Sequence, residues 1–391
     1  MYTLNDICLV ITDGSHYSPE DEGVGYPMLS VKDMGESDFD FSKCKYIGEE
    51  AFHKLMTNGC KPEVNDVVVA KDGSYLKTAF TIREDRDLVL LSSIAILRPK
   101  LEIVLPDYLS YFLKAPSVYR TVSLNYISGT ALKRVILKGI KKIPIELPTL
   151  EKQQDRVMLL DMLCGIIQKR RYQLYQFDKL IRARFVEMFG NPVLNDRGWP
   201  QKSLIELTTK IGSGATPKGG KEAYQDDGIT LIRSMNVHNG QFEYKDLAHI
   251  SDEQASKLDG VTVEKKDVLL NITGASVARC CIVPDEVLPA RVNQHVCIVR
   301  CIDHVSPEFL NYLLIDDNYQ DLLWSVAGSG ATREAITKQQ VESLQIILPP
   351  DELQRAFMTF VVQVDKSKVA VQKALDEAQL LFDSLMQEYF G

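Results

Sequence analysis

The sequence predicts an α+β protein: two similar mixed α/β domains separated by an antiparallel two-helix coiled coil, forming a pseudo-two-fold internal repeat. Three observations predict it. The C-terminal half, slid back by 201 residues, falls on the N-terminal half through to Phe189-Gly190 and Phe390-Gly391. Each half opens with short apolar runs punctuated by Gly, Asp and Asn, the pattern of strands and turns. Each half then closes in a long stretch of helical composition. A period of this length exceeds the roughly 20–50 residues of a solenoid unit and implies whole duplicated domains.

The matched pairs lie in order along the chain. Ile47-Gly48-Glu49 to Leu55 answers Ile250-Ser251-Asp252 to Leu258, with a two-residue slip. Asp66-Val67-Val68 with Gly73 answers Asp267-Val268-Leu269 with Gly274, and Ser128-Gly129 answers Ser329-Gly330. Leu147-Pro148 and Glu151-x-Gln153 answer Leu348-Pro349 and Glu352-x-Gln354. Residues 1–150 therefore read as the first mixed domain, with strands at Tyr26–Val31, Val67–Ala70, Val89–Leu97 and Ile143–Leu147 and a helix at Pro106–Lys114. Residues 151–190 are the first spacer helix. Residues 191–349 repeat the domain, with strands at Thr230–Ser234, Val268–Ile272 and His295–Arg300 and a helix at Pro307–Leu314. Residues 350–391 are the second spacer helix.

Glu151 to Phe189 contains no Pro, and Asp351 to Phe390 contains neither Gly nor Pro. In the first helix Leu160, Ile167, Leu174, Ile181 and Met188 recur every seven residues, with Leu163 and Phe177 three positions on. The same frame carries Val361, Lys368, Leu375, Phe382 and Tyr389, with Val364, Val371, Ala378 and Leu385 as the second seam. Residues 151–190 hold eight Lys/Arg against five Asp/Glu (+3), and 351–391 hold four against seven (−3). Such helices complement each other in charge as well as in apolar seam. Arg170, Arg184 and Lys368 interrupt the seam, either where a carboxylate of the other helix reaches it or where a long stem lies along it. About 39 helical residues span roughly 58 Å. The simplest path is out along one helix and back along the other, an antiparallel spacer of fixed length.

Composition excludes several classes. With 45% hydrophobic and 25% charged residues the chain is ordinary globular protein, and no apolar run is long enough for a membrane span. The N-terminus lacks the basic flank and cleavage site of a signal peptide. The expected location is cytoplasmic, with eight reduced cysteines, since none are paired as CxxC. A net charge of −8 weighs against nucleic-acid binding, but Lys133, Arg134, Lys138, Lys141 and Lys142 cluster, and Lys218 and Lys221 flank a glycine-rich loop.

Catalytic motifs do not assemble. Gly219-Gly220-Lys221 is followed by Glu222, not the Ser/Thr that holds magnesium in a P-loop. Asn191-Pro192-Val193-Leu194 is not an Asn-Pro-Pro-Tyr loop. Pro284-Asp285-Glu286 lacks the following acid-x-Lys of nucleases. The six histidines form no metal-ligand cluster.

One ordered set of motifs is specific. It comprises Ile211-Gly212-Ser213-Gly214-Ala215-Thr216-Pro217, Ile232-Arg233-Ser234-Met235-Asn236-Val237 and Asp267 through Arg279, which includes Asn271-Ile272-Thr273-Gly274-Ala275-Ser276. Val292-Asn293-Gln294-His295-Val296, Gly328-Ser329-Gly330-Ala331-Thr332-Arg333 and Leu348-Pro349-Pro350 follow. Together they resemble the target-recognition domain of type I restriction-modification specificity subunits, and the domain–helix–domain–helix plan resembles that family along essentially the whole chain. The first domain departs further, with Thr12-Asp13-Gly14-Ser15-His16 and Ala70-Lys71-Asp72-Gly73-Ser74.

The resemblance implies a non-catalytic subunit that binds an asymmetric, bipartite duplex DNA site, one half-site per domain. It also implies partners: two adenine methyltransferase subunits and two restriction subunits, which carry S-adenosylmethionine, ATP and Mg, with no cofactor or metal on this chain. The candidate DNA contacts are Lys71, Ser74, Lys77, Lys133 and Arg134 in the first domain. In the second they are Lys218, Arg233, Asn236, Thr273, Ser276, Arg279, Asn293, Gln294 and Arg333. The small residues permit close backbone approach to phosphate, or make a tight turn; the Arg, Asn and Gln side chains have donors suited to base edges. A specificity subunit serving a methyltransferase without a nuclease, and a coiled-coil scaffold joining two protein-binding domains, remain open alternatives.

Overall fold

The computed structural model describes residues 1–73, 75–128, 134–217, 220–328 and 334–391. The chain forms two compact units, one of residues 1–172 with 371–391 and the other of 173–370.

The first unit is organised around a four-stranded antiparallel sheet of β1 (Cys8–Asp13), β2 (Val67–Ala70), β3 (Ala79–Thr81) and β4 (Ile94–Pro99), in the order β1-β4-β2-β3. All of β2 is fully buried, so both faces are covered, and its β-branched run suits that environment. The pleat sends Val67, Val69, Ala95 and Leu97 to one face, among Tyr108, Leu109 and Leu113 of the Pro106–Lys114 helix. Val68, Ile94 and Ile96 go to the other, against Leu29 and Leu90. Leu29 and Leu90 belong to a second sheet, in which Tyr26–Leu29 pairs antiparallel with Lys45–Ile47 and parallel with Val89–Leu90.

The second unit repeats this plan with β5 (Thr208–Ser213), β6 (Val268–Asn271), β7 (Cys280–Ile282) and β8 (Val296–Cys301), in the order β5-β8-β6-β7. Its companion sheet pairs Ile229–Ile232 antiparallel with Ala248–Ile250 and parallel with Ala290–Val292. Chemically costly details are repeated too. Asp66 is fully buried and accepts two bonds from Arg98, at 2.8 and 2.9 Å; Asp267 is equally buried and accepts two from Arg300, both at 2.8 Å. A buried carboxylate survives only with such a partner.

Three expected strands are shifted, shorter or broken. Val89–Leu97 reads as one run, but the chain changes sheets at Leu91-Ser92-Ser93. There the Leu91 amide donates to Leu29 O (2.8 Å) and the Ser92 amide to Ser15 O (2.9 Å). Apolar continuity cannot reveal such a switch. Ile143–Leu147 reduces to Pro144–Ile145, paired with Tyr2–Thr3. Thr230–Ser234 starts and stops earlier, at Ile229–Ile232, and Ser234–Asn236 is a 3₁₀ turn.

Two unbroken helices, α1 (Leu150–Phe189) and α2 (Asp351–Phe390), each run 40 residues. Their entry is fixed identically: Gln153 donates to Pro148 O (3.0 Å) and Gln354 to Pro349 O (2.8 Å). In the first unit the beginning of α1, with Val157 and Leu160, packs with the end of α2, where Phe382, Leu385, Met386 and Phe390 lie. In the second unit Ile181, Phe185 and Phe189 of α1 pack with Phe357, Val361 and Val364 of α2. Both pairings are antiparallel. The seam positions Leu160, Leu163, Ile167, Ile181, Val361, Val364 and Ala378 are buried, and Leu174, Phe177, Met188, Val371, Leu375, Phe382, Leu385 and Tyr389 are half-buried. The seam interruptions resolve differently. Lys368 reaches Asp178 of α1 at 2.5 Å, whereas Arg184 lies over the Phe360 ring at 5.7 Å and bonds Glu187 at 2.8 Å.

The heptads did not announce Phe185, Phe189 and Phe390, which flank the seam and enter the sheet domains. Phe189 meets Phe309 and Phe357 edge-on at 5.0 and 5.4 Å, and Phe390 meets Tyr108 at 5.1 Å. All eight cysteines are free, and burial pushes the Cys8, Cys281, Cys297 and Cys301 thiols up to about 12. Among the described residues no helix is long and apolar enough to cross a membrane. Phe189→Ala should destabilise the protein by about 3–5 kcal/mol, while Leu381→Ala, on an exposed face, should shift stability by less than about 0.5 kcal/mol. Urea unfolding of the two variants checks this; equal midpoints would contradict the packing described.

Candidate nucleic-acid interface

Antiparallel pairing decides which loops meet. Ser213 at the end of β5 faces Cys297 near the start of β8, and Asn271 at the end of β6 faces Val296. The segments Gly214–Pro217, Ile272–Ala278 and Asn293–His295 therefore emerge at one end of the sheet. Glu334 and Ala335 join them: Gly274 donates to Glu334 O at 2.9 Å, and Thr273 and Ala335 form a bridge.

Glycine is required here for different reasons at two positions. The Gly214 amide donates to Asn293 O (3.1 Å), and a Cβ there would stand 1.7 Å from Val292 O, so the backbones touch. Gly274 has φ +74 with open space around it, a turn exposed at the tip. Across these loops runs a chain of side-chain hydrogen bonds. Thr216 Oγ1 donates to Gln294 Oε1, Gln294 Nε2 lies 3.0 Å from His295 Nε2, and His295 Nδ1 bonds Thr273 Oγ1. Gln294 is exposed at the end of the domain, while Thr216, Thr273 and His295 are half-buried. The sequence motifs contained Thr216 and His295, but nothing in their order showed that they tie the loops together.

Two candidates, Asn236 and Asn293, belong to the scaffold instead. Asn236 is fully buried; its Oδ1 accepts from the Arg233 amide (3.1 Å), and its Nδ2 donates to Glu243 O (3.0 Å) and Lys245 O (3.2 Å). Asn293 is 5% exposed and accepts from the His295 amide at 3.0 Å. A buried amide must satisfy its valences inside the fold, which replaces the base-reading role expected of both. Arg233 is half-buried, over the Tyr224 ring at 5.4 Å and bonded to Asp246 O. Arg279 is half-buried, with Nη1 3.4 Å from His238 Nδ1, and Ser276 sits half-buried on the Gly274–Ser276 turn.

The first unit builds the same end from different residues. A Cβ on Gly14 would stand 2.1 Å from Leu90 O, as Gly214 does against Val292. Asp72 bridges Arg134, and Val135 donates to Lys71 O (2.9 Å), as Ile336 donates to Ile272 O (2.8 Å). Lys71 is 6% exposed and its ammonium lies 2.7 Å from Asp13. It is therefore a buried counter-ion and not the surface phosphate contact expected. Lys77 and Arg134 are exposed. Ser74, Lys133, Lys218 and Arg333 lie outside the described residues. No group of His, Cys, Asp and Glu able to hold a metal occurs among the described residues.

The family model for the type I restriction modification DNA specificity domain matches residues 1–174 and 197–378. A putative type I restriction enzyme MjaX specificity subunit from Methanocaldococcus jannaschii is 23% identical over 418 aligned positions, covering 95% of this chain and 89% of that protein. The type I restriction enzyme EcoBI specificity subunit from Escherichia coli is 25% identical over 402 positions, covering 93% and 78%. A solved chain from work on assembly and conformational transition of the type I R-M system shares the fold at TM-score 0.60 and 19% identity, over 99% of this chain and 96% of that one. The type I restriction-modification S subunit from M. genitalium does so at TM-score 0.56 and 13% identity, over 100% and 95%.

Gly274→Ala should cost about 1–2 kcal/mol, the penalty of a left-handed residue carrying a Cβ. Gly214→Ala should cost more, because the obstacle is backbone and cannot rotate away. Thermal unfolding ranks the two, and the reverse order would contradict the close approach of Gly214 to Val292.

Proposed function

Because the chain belongs to the type I restriction modification DNA specificity family, we propose that it binds duplex DNA at an asymmetric site in two parts. Each sheet domain reads one half-site. The chain is a specificity subunit, non-catalytic in itself, and methylation of adenine and cleavage are the work of its partners. Those partners are two methyltransferase subunits, with S-adenosylmethionine, and two ATP- and Mg-dependent restriction subunits, in a cytoplasmic complex. A chain that contains its own repeat offers two equivalent docking surfaces, which supports two copies of each partner.

The single observation that carries the reading is the pair of loop ends. Both domains use the same backbone scaffold, in which a glycine touches a neighbouring strand and a bridge joins Asp72 to Arg134 or Thr273 to Ala335. The residues presented on that scaffold differ: Asp13, His16 and Asp72 against Ser213, Thr216 and Thr273. Identical heads suit a palindrome, and these suit two dissimilar half-sites. Lys77, Arg134, Ser276, Arg279 and Gln294 are the phosphate and base contacts proposed among the described candidates. Ser74, Lys133, Lys218 and Arg333, outside the described residues, are proposed as further contacts.

In this reading α1 and α2 set the length of unread DNA between the half-sites. Deleting one heptad from both helices removes about 10 Å of helix, close to three base pairs at about 3.4 Å each. Sequencing of methylation sites should show a gap shortened by about three base pairs with both half-sites intact. An unchanged gap would overturn the ruler. Duplex affinity should also fall steeply with salt, as phosphate contact requires.

A further inference from the structure

We propose that Gln294 reads an adenine in the major groove for the second domain, with Thr216 and His295 as the residues that position its amide. The inference rests on the DNA-reading function proposed above and names one base contact within it.

The amides at this end of the domain divide sharply. Asn236, Asn271 and Asn293 are buried, and each bonds backbone within the fold. Gln294 is exposed. A carboxamide has two acceptor lone pairs and two N–H donors. Thr216 occupies one lone pair of Gln294, and His295 Nε2, 3.0 Å away, occupies one N–H. One acceptor and one donor remain. Adenine presents N6–H and N7 in the major groove, which require one acceptor and one donor side by side. Guanine presents two acceptors there, so the same edge does not match it.

The hydrogen bonds also fix orientation. With the Gln294 amide donating to Nε2, His295 carries its proton on Nδ1 and passes it toward Thr273 Oγ1, so the imidazole is held on both sides. The histidine blocks rotation of the amide, and Thr216 on a different loop fixes which end is oxygen. Among the described residues the first domain has no such device. Ile272 donates to His295 O and Lys71 to Ser93 O, both at 2.9 Å, which places Ser93 opposite His295 and Ser92 opposite Gln294. A serine there cannot make the two-point contact, so the half-sites should differ at this position.

The test is selection of duplexes from a pool randomised over both half-sites, by the full chain in complex with its methyltransferase partner. The wild type should select one A·T pair that Gln294→Ala releases by about tenfold, with every other position unchanged. Gln294→Glu, an acceptor only, should move the preference at that pair toward cytosine, whose N4 donates. Thr216→Val should weaken the same pair and no other. Gln294 is exposed, so its variants keep the fold; Thr216→Val tests the point without touching the reading residue. A Gln294→Ala protein that selects the wild-type sequence, or loses preference evenly across both half-sites, overturns the inference. A wild-type complex that selects no sequence overturns instead the proposed function, and the inference with it.

Discussion

An apolar seam repeating every seven residues must be covered, and this chain covers its own. Leu160, Leu163 and Ile167 in the first unit and Ile181, Val361 and Val364 in the second are buried because α1 and α2 run antiparallel within each. Burying a large aliphatic side chain contributes roughly 1.5–3 kcal/mol, so each unit is committed to both helices. The helix ends are more than connectors. Phe189 and Phe390 close each repeat as buried rings within the sheet-domain cores. A shift of either helix along its axis would empty those positions, so head and helix are packed as one body within each unit.

The repeat conserves what is energetically hard to place. The Asp66–Arg98 and Asp267–Arg300 pairs put a fully buried carboxylate under a bidentate guanidinium in both units. Losing either partner would strand a charge. Gln153 and Gln354 anchor the helix starts on the preceding proline carbonyls in the same way. The polar residues at the loop ends differ between the units. Where one unit has the Asp13–Lys71 ion pair, the other has the hydrogen-bonded run from Thr216 through Gln294 and His295 to Thr273. Equivalent backbones with unlike polar surfaces are what two related recognition tasks demand.

Much of this was legible in the chain. The long helices match their expected bounds to within a residue, Val67–Ala70, Pro106–Lys114 and Pro307–Leu314 match in full, and the heptad frame identified buried seam positions in both helices. Periodicity works there because each segment buries one face or both uniformly. It failed at Leu91–Ser93, where an apolar run crosses from one sheet to another. The site was less legible because residue type does not disclose burial. Asn236, Asn293 and Lys71 carry the donors expected of DNA contacts, yet their partners are Arg233, His295 and Asp13, residues three, two and 58 positions away. Conversely, the hydrogen-bonded line that orients Gln294 joins loops 78 residues apart in sequence and required the sheet to bring them together.

The proposed function requires two unlike heads acting together on one duplex. Methylome sequencing of a host that expresses this chain with its methyltransferase measures that directly. Modified adenines should fall within a motif of two different specified segments, separated by a constant stretch of unspecified bases. A single contiguous motif, or two identical halves arranged as a palindrome, would contradict the proposed function.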